Sequence, residues 1–166
     1  MRNNTPRNSL GMTLLELLIV IAITAILGVI AIPNFVNMVS HNRIVSESNL
    51  LLGMLTFARG EAIKRNEKVA LCKSVDGVWC SNGANVYWNH GIIIFVDSNA
   101  NKTRDKAEAI IRSELPFSTI DKIEFNNGNA LVYRANGASS GGTFIVSFGA
   151  RTKQVVVSLA GRSRIE

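Results

Sequence analysis

Two arginines separated by a single residue, Arg162 and Arg164, are the side chains of this sequence best suited to binding an anion. In an extended segment alternate residues point to the same side, which would hold the two guanidinium groups about 7 Å apart. That spacing suits successive phosphates along one DNA strand, and the planar guanidinium group binds a phosphate bidentately. The alternative is a solvated segment whose arginines pair with acids such as Glu166.

Four further basic side chains are candidates for the same surface. Arg151 and Lys153 are predicted to lie in the turn before the last strand, where they would extend the basic surface of the paired arginines. Lys102 and Arg104 belong to a polar loop and are also candidates for contact with an anion. The chain carries 18 basic and 12 acidic residues, a formal net charge of +6, which is compatible with an acidic partner.

The polar loop, residues 97–108, partly follows the pattern of a calcium-binding loop, with oxygen-bearing side chains at several of the ligand positions. Lys102, however, stands where that loop needs glycine for its sharp turn, and Arg104 adds another positive charge. Asx-rich turns adopt such sequences without metal. We therefore predict an ordinary turn from Asp97 to Asp105, with a calcium site as the alternative.

The sequence offers little support for catalysis. It contains no nucleophile elbow, no H-E-x-x-H motif and no phosphate-binding P-loop. Two cysteines are too few for a structural zinc site, and neither histidine has a neighbouring ligand. Four aromatic side chains are predicted to pack in the core, with a base-stacking platform as the alternative: Trp79, Tyr87, Trp88 and Phe95. We expect a protein that is not an enzyme and that uses no cofactor or metal.

The elements that position these residues begin with an apolar run, Met12–Ile32, which contains Glu16 near its start. As a helix this run is roughly 31 Å long, enough to cross the hydrocarbon core of a membrane. A carboxylate at membrane depth costs about 3 kcal/mol, which suggests a charged partner. A plain single-pass anchor with an incidental acid is the alternative.

A basic leader without acidic residues, 1–11, precedes the apolar run. By the positive-inside tendency its two arginines place the leader in the cytoplasm and the domain that follows the run outside. No small-residue cleavage site follows the run, so cleavage is predicted before it, after Gly11. The apolar segment then stays on the mature chain, with a new amine on Met12. In such an extracytoplasmic domain Cys72 and Cys80 are expected to form a disulfide, with free thiols as the alternative.

Residues 33–66 are predicted to continue as an amphipathic helix after a kink at Pro33. Residues at a three-four spacing form a stripe that we expect to pack on the domain: Ile44, Ser48, Leu51, Leu55, Ala58 and Ala62, widened by Leu52 and Ile63.

The rest of the chain, 67–166, is predicted to be a β domain, with turn signals such as Asn136-Gly137 between its strands. Seven strands are predicted: 69–73, 91–96, 109–115, 120–125, 130–134, 143–148 and 154–159. The predicted fold class is α+β, a long N-terminal helix packed on an antiparallel β-sheet domain.

The segment Gly11-Met12-Thr13-Leu14-Leu15-Glu16 resembles the class III signal of type IV pilins and type II secretion pseudopilins. The resemblance implies that a prepilin peptidase cuts after Gly11 and methylates Met12, although the family usually has Phe at that position. It also implies that Glu16 pairs with the amine of a neighbouring subunit and registers the helices in the filament, because the buried charges relieve one another's desolvation.

Blocks farther along the chain are similar to the GspH/FimT branch of minor pilins, namely 57–66 with 69–72, and 88–91 with 94–97. Within this branch, Gly161-Arg162-Ser163-Arg164 resembles the C-terminal G-R-x-R motif of FimT-type DNA-binding minor pilins. The resemblance implies a type IV pilin-like fold and a minor pilin that binds the phosphate backbone of double-stranded DNA for uptake in natural transformation. The alternative is a structural or priming minor pilin, or a type II secretion pseudopilin, without DNA binding.

The same resemblance implies the location and the other partners of the chain. It would sit in the inner membrane as a single-pass protein with a periplasmic domain before assembly, and on the pilus at the cell surface afterwards. Other pilins of the filament and the prepilin peptidase would be its protein partners.

Overall fold

A computed structural model describes residues 12–114, 116–117 and 120–166, without the side chains of 29–34. The predictions of the leader 1–11 and of cleavage after Gly11 lie outside the described residues. So does Leu115, which was predicted to end a strand. The side chain of Pro33, for which a kink was predicted, is also outside the described part.

One helix, α1, runs from Leu14 to Arg65. Thr13 precedes it, and its Oγ1 accepts a hydrogen bond from the backbone N–H of Glu16 at 3.2 Å, which caps the first turn. At the other end Asn66 takes a positive φ of 55° and terminates the helix. Within the described residues, no helix combines the length and the apolar character that a membrane crossing requires.

The chain divides into two compact units, Met1–Val39 and Ser40–Glu166. The second unit contains the last part of α1 and two antiparallel four-stranded sheets, which match the predicted α+β fold class. Eight strands form these sheets: β1 Val69–Lys73, β2 Ile92–Val96, β3 Ile110–Glu114, β4 Lys122–Phe125, β5 Ala130–Tyr133, β6 Gly142–Phe148, β7 Arg151–Val157 and β8 Ser163–Ile165. The strand order is β3-β2-β1-β5 in sheet A and β4-β6-β7-β8 in sheet B.

The predicted stripe of α1 forms one side of the core of the second unit. All six residues of the three-four pattern, from Ile44 to Ala62, are buried there against apolar side chains from both sheets. The serine in the stripe, Ser48, donates its hydroxyl to the Ile44 carbonyl at 2.7 Å, so that its polar group is satisfied inside the helix. Of the two residues expected to widen the stripe, Leu52 is partly buried and Ile63 is exposed.

A second buried cluster, with Ala70, Cys72, Ile93 and Phe95, lies on the opposite face of sheet A. The loops 74–86 and 97–108 meet at Cys80, which packs against this cluster and whose Sγ accepts the Arg104 N–H at 3.3 Å. β1 and β2 are buried along their whole length, and both are apolar except for Lys73 at the end of β1. The predicted disulfide Cys72–Cys80 is present, with 5.6 Å between the Cα atoms. It ties the first of these loops to β1.

The structure corrects two sequence predictions at the end of the chain. Arg151 and Lys153 lie on β7, not in a turn before it; the turn is formed by Gly149 and Ala150. β7 is also not the last strand, because β8 follows and pairs with it antiparallel through Val157↔Ser163 and Val155↔Ile165. β8 was not predicted as a strand because only one of its three residues is apolar.

Candidate functional site

The two arginines singled out in the sequence lie on a β-hairpin formed by β7 and β8. A three-residue loop, 159–161, joins the strands, and Ser158 and Arg162 face each other across it. The Ser158 N–H donates to the Arg162 carbonyl at 2.9 Å, and the Gly161 N–H donates to the Ser158 carbonyl at 2.8 Å. The Ser158 hydroxyl oxygen also accepts the Arg162 N–H at 3.2 Å. These bonds fix the backbone at the start of the arginine segment.

Gly161 ends this loop with a φ of 78°, a left-handed conformation that favours glycine. A Cβ at this position would lie 1.8 Å from the carbonyl oxygen of Gly137 in the β5–β6 loop. Gly161, a predicted member of the binding motif, is buried, so its part in the site is conformational. Only glycine allows the turn and the neighbouring loop to approach this closely.

Arg59 on α1 holds the two loops together. Its Nε donates to the Gly137 carbonyl at 3.1 Å, and its terminal nitrogen donates to the Ala160 carbonyl at 3.2 Å. Arg59 was not among the residues for which the sequence predicts a role. Its carbonyl partners are backbone groups 78 and 101 residues away, and backbone groups leave no signal in the sequence.

Two side chains from β5 and the loop after it contact the hairpin through their hydroxyl groups. The Ser139 hydroxyl donates to the Ser158 carbonyl at 2.7 Å. Tyr133 is buried, and its hydroxyl lies 3.3 Å from that of Ser163. Burial raises the pKa of Tyr133, although the hydrogen bond with Ser163 and the charge of Arg59 act in the opposite direction. The phenol therefore stays neutral at physiological pH.

Arg162 and Arg164 lie two residues apart on the same edge of the hairpin, and both are exposed. Arg164 stands opposite Val156, while Ser163 and Ile165 belong to the other face of the strand. Strand geometry therefore puts the Cα atoms of the two arginines about 7 Å apart. Arg164 thus lies on the solvent-facing side of the edge strand β8, and Arg162 directly precedes this strand.

The two guanidinium groups differ in their partners. Arg164 pairs with Glu166, with 2.6 Å between Nε and the carboxylate oxygen Oε1. Arg162 makes no ion pair or side-chain hydrogen bond with any of the described residues. Arg162 is therefore ready to receive an anion, whereas Arg164 must first exchange Glu166 for one.

The other basic residues predicted for this surface lie elsewhere. Arg151 is five residues along β7 from the position opposite Arg164, which is roughly 17 Å at the rise of a strand. Lys153 belongs to the row of Val155 and Val157, on the face of β7 that points away from the Arg164 row. The hairpin does not bring these two side chains to the same face as the paired arginines.

Lys102 and Arg104 lie in the loop 97–108. The guanidinium group of Arg104 stacks 4.8 Å from the centre of the Trp79 ring, and its Nε donates to the Glu108 carbonyl. The Lys102 N–H donates to Oδ1 of Asp97 at 3.4 Å. Arg104 thus stabilises the loop, while Lys102 is one of the residues that line a cavity beside it.

Most carboxylate and amide oxygens of this loop accept hydrogen bonds within it, with Oδ2 of Asp97 as an exception. Asn99 and Asn101 each accept a backbone N–H two residues on, as in Asx turns, and both donate to Asp105. The carboxylate of Glu108 accepts the N–H groups of Ser98 and Asp105. In the described part of the chain, no three His, Cys, Asp or Glu side chains are grouped to hold a metal ion.

The aromatic side chains considered for base stacking fall into two groups. Trp88 and Phe95 are buried, and Trp88 packs edge-on against Phe125 and Phe144. The other two are partly exposed and are each covered by a cation. Trp79 is 40% exposed with Arg104 over its ring, and Tyr87 is half-buried with the ammonium group of Lys122 4.5 Å from its ring centre. A continuous stacking platform is therefore not formed by these four side chains.

Comparison with known proteins identifies relatives across most of the chain. The family profile described as type II transport protein GspH matches residues 47–161, and the prokaryotic N-terminal methylation motif matches residues 6–32. The pilin-like protein PilA1 of Thermus thermophilus is 30% identical over 94% of this chain and 97% of its own length.

Two crystal forms of the type IV minor pilin FimU of Pseudomonas aeruginosa share the fold. One has a TM-score of 0.60 at 22% identity and covers 76% of this chain and 90% of FimU. The other has a TM-score of 0.56 at 23% identity and covers 73% and 90%. These structures match the fold of a long helix with an antiparallel β domain.

Proposed function

Because this chain belongs to the GspH family of pilin-like proteins, we propose that it is a minor pilin that binds double-stranded DNA through Arg162 and Arg164. In this proposal the exposed hairpin edge contacts the phosphate backbone without reading base sequence, as a receptor for DNA uptake in natural transformation requires. In function the chain would then resemble the FimT-type minor pilins.

One observation carries this proposal: two exposed arginines two residues apart, Arg164 on the edge strand β8 and Arg162 directly before it, follow a turn that Gly161 and Arg59 hold in place. Arg162 makes no ion pair within the described residues, and an exposed guanidinium group binds phosphate with little loss of existing contacts. A fixed backbone also limits the entropy that the arginines lose when they bind.

A second candidate is supported by the ion pair of Arg164 with Glu166. If that pair persists, the hairpin edge is an ordinary solvated surface, and the chain is a structural or priming subunit without DNA binding. The family contains structural pilins, and membership implies association with other pilins. The two candidates therefore differ only in the use of the hairpin.

The N-terminal motif implies membrane anchoring and processing by a prepilin peptidase. We propose that cleavage follows Gly11, that Met12 is methylated, and that Glu16 pairs with the amine of a neighbouring subunit in the filament. Residues 12–32 would anchor the chain in the inner membrane with the domain 67–166 in the periplasm, before assembly carries it to the pilus at the cell surface.

The proposal is tested by fluorescence anisotropy with two labelled duplexes of unrelated sequence and the full chain in detergent micelles. We expect similar, weak affinity for both duplexes, and a clear loss for the double variant Arg162→Gln/Arg164→Gln. Arg43→Gln on α1 is the control with an exposed arginine elsewhere. Strong preference for one duplex would contradict recognition of the phosphate backbone alone, and unchanged binding of the double variant would contradict the role of the two arginines. Absence of binding to either duplex would support the structural subunit.

Replacing Glu166 by glutamine should strengthen DNA binding at low salt. The substitution removes the partner of Arg164 and one negative charge beside the hairpin. Because Arg164 contacts a phosphate in the wild type as well, the affinity should rise while the log–log salt slope changes by less than the value for one contact, about 0.9. Glu114→Gln, which removes the carboxylate paired with Arg112 on sheet A, is the matched control and should change little. Equal effects of the two variants would show that only net charge matters.

A further inference from the structure

A row of charged residues crosses one end of sheet A. Lys68 precedes β1, and Arg134 follows β5. The two strands pair with Val69 opposite Tyr133, so the next position along the pairing places Lys68 opposite Arg134. Asp97 follows β2 on the other side of Lys68, and its N–H donates to the Lys68 carbonyl at 2.9 Å. All three residues therefore start from the same face of the sheet.

This arrangement is electrostatically unfavourable for the protein alone. Like charges directly opposite each other on paired strands are destabilising. Lys68 and Arg134 are exposed, and neither forms an ion pair with a described residue. Asp97 is fully buried, and its Oδ2 has no hydrogen-bond partner in the described part of the chain. A second buried acid, Glu108, acts on Asp97 electrostatically, but its carboxylate accepts the N–H groups of Ser98 and Asp105 inside the loop.

Lys102 brings a third positive charge to the same place. Its φ of 65° and the bond from its N–H to Asp97 fix the loop there. Lys68, Lys102 and Arg134 line a cavity of about 190 Å³ together with Asp97, Ala100, Val132 and Ser140. With Asp97 ionised, the cavity carries a net charge of about +2, which favours an anion of high charge density.

The cavity is connected to the hairpin through the β5–β6 loop. The Gly137 N–H donates to the Arg134 carbonyl at 2.8 Å in a tight turn, and Gly137 touches Gly161. The path from Arg134 to Arg162 consists of the turn from Arg134 to Gly137, the contact between Gly137 and Gly161, and one further residue. Together these steps put the Cα atoms of Arg134 and Arg162 within about 17 Å of each other. Each strand of B-DNA carries a phosphate per about 3.4 Å of axis, so one duplex reaches both places.

We propose that the cavity lined by Lys68, Lys102 and Arg134 binds a backbone phosphate of the same duplex DNA that Arg162 and Arg164 contact. This inference rests on the proposed function, and it names a second anchoring point on the other side of the β5–β6 loop. The basic surface then runs from the hairpin to sheet A, away from Arg151 and Lys153.

The test compares the salt dependence of duplex binding for four forms of the full chain in detergent micelles. They are the wild type, the hairpin variant Arg162→Gln/Arg164→Gln, the cavity variant Lys68→Gln/Lys102→Gln/Arg134→Gln, and a control. The control Arg43→Gln/Lys64→Gln/Lys122→Gln removes the same number of positive charges elsewhere. Because the three cations surround one space, the cavity variant should flatten the log–log slope by about 0.9, as for one phosphate, and the control should flatten it by less than half as much.

The outcomes separate this inference from the proposed function. A flatter slope in the hairpin variant with an unchanged slope in the cavity variant overturns the cavity site alone. The reverse result keeps the cavity site and overturns the role of the hairpin. Asp97→Asn provides an independent check, because loss of the buried negative charge should make duplex binding stronger than in the wild type. Duplex binding weaker than in the wild type contradicts the site. The wild type is also titrated with inorganic phosphate. Saturable phosphate binding in the cavity, together with a cavity variant that keeps the wild-type salt slope of duplex binding, assigns the cavity to free phosphate and overturns the inference.

Discussion

Replacing Gly161 by alanine should destabilise the chain by about 3 kcal/mol or more and should also weaken DNA binding. The positive φ alone costs a residue with a side chain about 1–3 kcal/mol. In addition, the new Cβ would occupy the space of the Gly137 carbonyl oxygen, which lies 1.8 Å from that position. The β5–β6 loop must therefore move, and Arg59 loses its hydrogen-bond partner on Gly137.

Gly128→Ala is the matched control for this variant. Gly128 also has a positive φ, 87°, but an added Cβ meets nothing within 4 Å. Its substitution therefore measures the cost of backbone strain without the steric clash, about 1 kcal/mol. Chemical denaturation compares the two free energies of unfolding. Equal losses for Gly161→Ala and Gly128→Ala would mean that the close approach of the two loops does not contribute to stability.

Replacing Glu16 by glutamine should reduce incorporation of the chain into filaments roughly a hundredfold. If Glu16 neutralises the amine of a neighbouring subunit, its loss leaves a buried ammonium group unpaired, which costs about 3 kcal/mol or more. Glutamine is nearly the same size as glutamate, so the packing of the helix changes little. Incorporation is measured by immunoblotting of sheared filaments against the total cellular amount.

Glutamine also separates this function from a local role of Glu16 in the helix. Thr13 and Glu16 stand at the two ends of a T-x-x-E capping sequence, and the Thr13 hydroxyl accepts the Glu16 N–H. Glutamine serves in such a capping box, whereas Thr13→Ala removes the cap. Normal incorporation of Glu16→Gln together with a defect in Thr13→Ala would assign Glu16 to capping and remove its role in registration.

The sequence predicts the parts of the fold that depend on local patterns. The three-four stripe from Ile44 to Ala62 is buried as expected, because one face of a helix must cover the apolar faces of the sheets. The apolar runs predicted at 69–73 and 91–96 form the strands β1, Val69–Lys73, and β2, Ile92–Val96, because runs rich in β-branched residues favour strands. Ile63 was wrongly expected to join the stripe; it is exposed, beside the loop that carries Gly137.

Features that depend on pairing between distant segments escape this kind of prediction. Strand β8 is held by hydrogen bonds to β7, so its polar sequence, Ser163-Arg164-Ile165, does not prevent its formation. The hydrogen bonds of Arg59 to the two loops and the facing positions of Lys68 and Arg134 also depend on contacts between segments that are distant in the sequence. Only the register of β1 with β5 brings those two side chains together. The arginines of the hairpin were found because their spacing is local.

The salt dependence of duplex binding tests most directly whether Arg162 and Arg164 hold DNA phosphates. Binding of the full chain to one labelled duplex is measured over a range of salt concentrations, and the slope of log affinity against log salt is compared between forms. Each phosphate contact contributes roughly 0.9 to this slope on B-DNA, so Arg162→Gln/Arg164→Gln should flatten it by about two units without unfolding the chain. A folded double variant that binds DNA with the wild-type slope would contradict the proposed receptor function.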